Sequence, residues 1–163
     1  MKEIASLNNA VVKAVSELKQ KKYRERENCF VVEGLRAAEE AVSYAEVRKI
    51  FAVADKNNAR LQKLLADAEA KGIELYSVTE AVMKKMSDTE APQGVLAVCE
   101  KPQDVNISGG DVLVLDRVAD PGNVGTLIRT AEAAGMAGVI LLAGCADAYA
   151  PKTVRSTMGS LLR

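Results

Sequence analysis

The chain has 163 residues, enough for one ordinary domain or two small ones. Hydrophobic residues make up 48% and charged residues 27%, and the formal charge is +0, so net charge gives no reason to invoke a nucleic acid and any basic surface must be local. There is no histidine, which excludes Ser-His-Asp and Cys-His hydrolase chemistry and every His-containing metal site; no metal centre is expected, and any chemistry falls to Arg, Lys, Asp, Glu, Asn, Ser or a cofactor.

In chain order, residues 8–18 read as a helix, with Val11, Val15 and Leu18 at helical spacing and Ser6 as its cap. The run KQKKYRERE follows, too polar for a core. CFVV is a short buried strand, and EGLRAAEEAVSYA a helix with Leu35, Ala38 and Val42 on one face. VRKIFAV is a strand. NNARLQKLLADAEAKG is a helix with Leu61, Leu64, Leu65 and Ala68 inward, stopped by Gly72. IELYSV, a short helix capped by Thr79, and GVLAVCE complete an alternating α/β unit, a sheet flanked by helices. Aromatic residues are 4% and Trp is absent, so the core is aliphatic. Cys29, Cys99 and Cys145 are scattered and form no C-x-x-C pair, which reads as buried free thiols in a reducing, cytoplasmic compartment. No apolar run is long enough to span a bilayer, and no signal peptide is visible at the start.

The segment KPQDVNISGGD, with Pro102 and the Gly109–Gly110 pair, marks a boundary, giving domains at 1–104 and 105–163. The second opens with VLVLDRV, a buried parallel strand, followed by ADPGN as a loop. VGTLIRTAEAAG is a helix with Val124, Leu127, Ile128 and Ala131 on one side, ended by Gly135; Asn123 lies at or near its N-cap. GVILLAG is a strand. Pro151 suits the first turn of a last helix, which the chain leaves unfinished at Arg163. Ligands bind at the C-terminal ends of such parallel strands, and the first turn of the helix after ADPGN offers free N–H groups to an anion. Neither G-x-G-x-x-G nor a G-K-[ST] loop is present. The residues by themselves indicate at most an anion site, and first a helix capped by Asn123 with a solvated Arg129.

The stretch LDRVADPGNVGTLIRTAEAAG resembles the first motif of the SpoU methyltransferases of the SPOUT superfamily, with Asn123, Gly125, Arg129 and Thr130 on its key positions. KKYRERENCFVVEGLRAAEEAV resembles the substrate-binding domain that these enzymes often carry in front, and APKTVRSTMGSLLR the segment of the rRNA-directed branch. The resemblance implies a ribosomal-protein-like α/β RNA-binding domain, then the first part of a parallel-sheet, trefoil-knot catalytic domain. It implies S-adenosylmethionine as methyl donor, in-line attack by a ribose 2′-hydroxyl, and homodimers in the full-length family. Arg129 and Asn123 take the catalytic positions, with Asn123 orienting Arg129 or the ribose. A protonated guanidinium suits a phosphate clamp better than a base. Lys21, Lys22, Arg24, Arg26, Arg36, Lys152 and Arg155 are the expected RNA contacts. The family's two later donor-pocket motifs do not occur, so no cofactor-binding residue is assigned and the chain is expected to be an inactive piece of the parent enzyme. The alternatives are an RNA-binding module without catalysis, and a receiver-type domain, for which only Asp116 and Asp120 are available acids.

Overall fold

The computed structural model describes the chain apart from residues 56–57, 103–106 and 108, and divides it into two compact units, Met1–Lys101 and Pro102–Arg163. The expected boundary between residues 104 and 105 and the expected start of the 57–72 helix lie outside the described residues.

The first unit runs β1 (Lys2–Ile4), α1 (Ala10–Glu17), α2 (Lys21–Glu27), β2 (Cys29–Glu33), α3 (Leu35–Tyr44), β3 (Val47–Val53), α4 (Ala59–Ala70), β4 (Glu74–Val78), α5 (Glu80–Met86) and β5 (Val95–Glu100). Its sheet has the order β1-β4-β3-β5-β2, with β5 antiparallel to both its neighbours and the other pairings parallel. Alternation along the strands sends successive side chains to opposite faces. One face packs Cys29, Val31, Phe51, Tyr76, Val78, Leu96 and Val98 against Val12, Val15 and Leu18 of the α1 segment and Val82, Met83 and Met86 of α5. Phe51 and Tyr76 stack there at 4.9 Å between centroids. The other face buries Phe30, Val32, Ile50, Ala52, Val95 and Ala97 on the side of α3 and α4, whose buried residues are Ala38, Ala41, Val42, Leu61, Leu64 and Ala68. Cys99 is on this side, and burial pushes its thiol pKa up to about 12; Cys29 is raised for the same reason.

Several local expectations change. β1 escapes the periodicity because three residues with one buried side chain carry no pattern. The cap of α1 is Asn9, whose side chain accepts from the Val11 N–H, while the Ser6 hydroxyl accepts from the Asn8 N–H in the turn before it. The polar run is itself a helix, α2, ended by Asn28 in the left-handed region at φ 50. Thr79 caps α5 as expected. Glu33 stands at the end of β2. Its carboxylate accepts from the Asp88 N–H at 2.7 Å and from the Ser87 and Thr89 hydroxyls, tying β2 to the loop after α5.

The second unit runs β6 (Val112–Leu115), α6 (Pro121–Ala133), β7 (Gly138–Leu141), α7 (Pro151–Thr157) and a 3₁₀ turn (Ser160–Leu162). β6 and β7 pair in parallel from Val112↔Gly138 to Leu115↔Leu141. Leu115, Val124 and Ile128 form the centre of its core. Three readings are corrected. Pro121, Gly122 and Asn123 are the first turn of α6 and not a loop, since proline at N1 loses no needed N–H. β6 is only partly buried, with Val114 52% exposed. The last helix does finish: Met158 adopts φ 51 and Gly159 φ 98, and the chain turns into the 3₁₀ segment.

Candidate functional site

The C-terminal ends of β6 and β7 lead into loops 116–120 and 142–150, which are bonded to each other. Ala146 N–H donates to Val118 C=O at 2.9 Å, and the Cys145 thiol to Leu115 C=O at 3.2 Å. From this edge α6 and α7 both start. Asp120 is the N-cap of α6: its Oδ1 accepts from the Asn123 N–H at 2.9 Å, and its Oδ2 is 3.6 Å from Lys152 Nζ on the first turn of α7. The Asn123 N–H above all, with Lys152 adding its charge, holds the Asp120 carboxyl below the usual carboxylate range. The expected cap, Asn123, is thus the third residue of the helix, and its side chain is exposed.

The two helices cross at Gly125. A Cβ at that position would lie 2.5 Å from Ser156 Cβ and 2.7 Å from the Thr153 carbonyl, so only glycine permits this approach. Thr153 and Thr157 are fully buried in α7, and the Thr157 hydroxyl donates to Val154 C=O. Gly125, Arg129 and Glu132 follow one another at i, i+4 and i+7, a stripe along the side of α6 that meets α7 and the 3₁₀ turn. Glu132 accepts from the Ser160 hydroxyl at 3.3 Å and from Arg163 Nη1 at 3.1 Å. Between them Arg129 is exposed, and its Nη1 donates to the Met158 thioether at 3.1 Å. Asn123 is six residues from Arg129, about 9 Å along the axis and about 120° around it. It emerges on a different side of the helix from Arg129. Thr130, the other residue at a motif position, bonds its hydroxyl back to Thr126 C=O. Arg155 is half-buried on α7.

The expected RNA contacts of the first unit separate. Lys21, Lys22 and Arg26 are exposed on α2. Lys21 lies 3.6 Å from Glu25 and Arg26 2.7 Å from Glu27, while Lys22 and Arg26 both sit over the Tyr23 ring, at 4.6 and 4.8 Å from its centroid. Arg24 departs from the expectation: it is 3% exposed, and its Nη1 donates to Leu18 C=O at 2.8 Å and Lys19 C=O at 2.7 Å, closing the end of α1. Arg36 lies on the first turn of α3, beyond Glu33, whereas α2 enters β2 at Cys29; these two ends of the strand are about 13 Å apart.

Residues 111–163 do not by themselves fit a nucleoside-bearing cofactor. Ile140 and Leu142 are 42% and 46% exposed, so with Val114 the β6–β7 pair carries an open apolar side rather than an enclosed slot with convergent polar groups. No step through such a group is assigned to them. Among the described residues no helix is long and apolar enough to cross a membrane, and no group of three or more Cys, Asp or Glu side chains could hold a metal ion.

Sequence reasoning missed three supporting residues: Asp120 as a cap, Glu132 as the anchor of the 3₁₀ turn, and Met158. The first was legible, since an Asp just before a proline at N1 is a helix-start signature. The third stands within the segment APKTVRSTMGSLLR, but the left-handed turn that brings it to Arg129 has no pattern in sequence.

Known proteins align with both units. The MRM3-like substrate binding domain matches residues 9–97 and the SpoU rRNA Methylase family residues 111–163. The 23S rRNA (guanosine(2553)-2′-O)-methyltransferase RlmP of Bacillus subtilis (strain 168) is 40% identical over 160 residues, covering 98% of this chain and 62% of its own length. The AdoMet-bound rRNA methyltransferase from Sinorhizobium meliloti superposes with a TM-score of 0.85 at 34% identity, over 99% of this chain and 62% of that one. The SpoU methyltransferase AviRb from Streptomyces viridochromogenes, in complex with AdoMet, gives 0.85 at 31% identity, over 95% and 61%. The chain therefore spans about three fifths of the length of these relatives.

Proposed function

This chain belongs to the SpoU rRNA methylase family, carrying an MRM3-like substrate binding domain ahead of its SpoU segment, and from that premise we propose that it is the RNA-holding and ribose-positioning part of an RNA ribose 2′-O-methyltransferase. The substrate class is structured ribosomal RNA, a reading supported by the Bacillus relative, a 23S rRNA 2′-O-methyltransferase. The donor is S-adenosylmethionine, supported by the AdoMet-bound relatives; when bound it supplies an activated methyl group.

The observation that carries the proposal is the state of Arg129. Arg48, Arg60 and Arg163 are bonded to Glu100, Glu39 and Glu132, whereas among the described residues Arg129 has no carboxylate partner and is exposed on α6. A guanidinium in this state keeps its full charge for a ligand. It remains protonated and cannot serve as a base. Clamped on the phosphate beside the target ribose, it lowers the cost of the alkoxide that develops as the 2′-hydroxyl attacks, and it fixes that hydroxyl in place. Asn123, on a separate side of the same helix, is left to orient the ribose rather than Arg129. Lys152 at the shared edge of α6 and α7, and Arg155 along α7, extend the phosphate contacts. In the first unit, Lys21, Lys22 and Arg26 position RNA through its backbone without reading sequence. Arg36 marks a second contact point at the far end of β2.

The test is methyl transfer to rRNA by the full-length protein. Arg129→Ala should lower kcat by about a hundredfold with KM for RNA little changed, and Arg129→Lys should not restore it. Full activity in Arg129→Lys would remove the bidentate clamp. RNA binding with no methyl transfer by the full-length protein would instead establish the second reading, an RNA-binding module without catalysis.

A further inference from the structure

We infer that Met158 is a positioning residue that holds the Arg129 guanidinium in place without neutralising it; this rests on the reading of Arg129 as the phosphate clamp. Four observations lead to it. Arg129 Nη1 donates to Met158 Sδ at 3.1 Å although Met158 is 57% exposed, so the contact is not forced by burial. Met158 holds φ 51, a conformation uncommon for a side chain of its kind, and is followed by Gly159 at φ 98. Its turn is pinned on both sides, by the Gly125–Ser156 approach before it and by the Ser160–Glu132 bond after it. Finally, the carboxylate that would ordinarily take Arg129 on its own helix stripe, Glu132 at i+3, is occupied by Ser160 and Arg163.

The chemistry explains the choice of sulfur. A thioether is a weak, neutral, polarisable acceptor. It restricts the rotamers of a long side chain and so reduces the entropy lost when a ligand binds. It adds no negative charge, so an incoming phosphate meets the whole guanidinium. A carboxylate in the same place would hold Arg129 more firmly and repel the phosphate.

Gln and Glu have the same shape and differ in charge, so they separate positioning from packing. In the 163-residue chain, the Arg129 guanidinium nitrogens would be followed by ¹⁵N NMR while inorganic phosphate is added, with Arg129→Lys as the assignment control. Met158→Gln should respond to phosphate as the native chain does. Met158→Leu should show a more mobile guanidinium. Met158→Glu should weaken the phosphate response by about two- to fivefold, the scale of one exposed ion pair. Equal responses from Gln and Glu, or an unchanged guanidinium in Leu, would overturn the inference. Any variant that does not fold shows itself in the backbone spectrum, and the remaining pair still decides. The readout needs no methyl transfer, so loss of the methyltransferase reading would appear separately, as an inactive full-length protein whose Arg129 still behaves as described. In an active full-length protein the same order, Met and Gln above Leu above Glu, is expected in kcat, with KM for RNA steady.

Discussion

At the scale of single residues, the structure separates arginines that look alike in sequence. Arg24 and Arg26 lie two positions apart in one basic run, yet Arg24 is spent on the Leu18 and Lys19 carbonyls while Arg26 is exposed beside Glu27. Arg24→Ala should therefore cost about 2–3 kcal/mol of stability in denaturant unfolding, because two carbonyls lose a charged donor. The triple change of Lys21, Lys22 and Arg26 to Ala should leave stability nearly unchanged, since exposed ion pairs are worth little. It should instead flatten the salt dependence of RNA binding, by about 0.7–0.9 in the log–log slope for each phosphate contact removed. An unchanged slope would take α2 out of the RNA interface. The sequence could not distinguish these arginines, because burial in α2 depends on how α1 ends, and the charge pattern alone reads as one solvated face.

At the scale of elements, the pairing of α6 with α7 turns on Gly125 and Asp120. Gly125→Ala places a methyl where Ser156 and the Thr153 carbonyl already stand. It should destabilise the second unit by about 1–3 kcal/mol, seen as a lower Tm, and shift α7 with its attached turn. Asp120 ties both helix starts together. Its folded pKa lies below its unfolded one. Its contribution is therefore complete above the unfolded carboxylate value of about 3.9 and is lost as pH falls through the folded value. Asp120→Asn keeps an acceptor for the Asn123 N–H but loses the charge facing Lys152. A profile of Tm against pH should accordingly fall less steeply on the acid side in Asp120→Asn than in the native chain. Equal profiles would mean that other carboxylates govern that range. The start of α6 was half legible: Pro121 signals N1, but the turn residues Gly122 and Asn123 read as loop until Asp120 is seen to cap them.

For the whole molecule, the alternation of strand and helix was legible because aliphatic residues repeat at 2 and 3.6 along most elements, and the Gly-stopped and Thr-capped helices fell where their end residues stand. β1 was not, since three residues leave no period, and its place depends on pairing with β4 more than seventy residues away. Asn123 and Arg129 stand out as candidate site residues through the D-P-G-N motif. Their support does not, because Met158, Glu132 and Ser160 are brought together by a left-handed turn.

In the proposed function the full-length protein places a methyl group on an RNA ribose, and Arg129 positions the reacting hydroxyl. The direct measurement is transfer of labelled methyl from S-adenosylmethionine to unmodified ribosomal RNA by the full-length protein, followed by alkaline hydrolysis. A 2′-O-methyl blocks cleavage at its own linkage, so label is expected in alkali-stable dinucleotides for the native protein and should be nearly absent for Arg129→Ala. Label confined to single nucleotides, or alkali-stable label undiminished in Arg129→Ala, would contradict it.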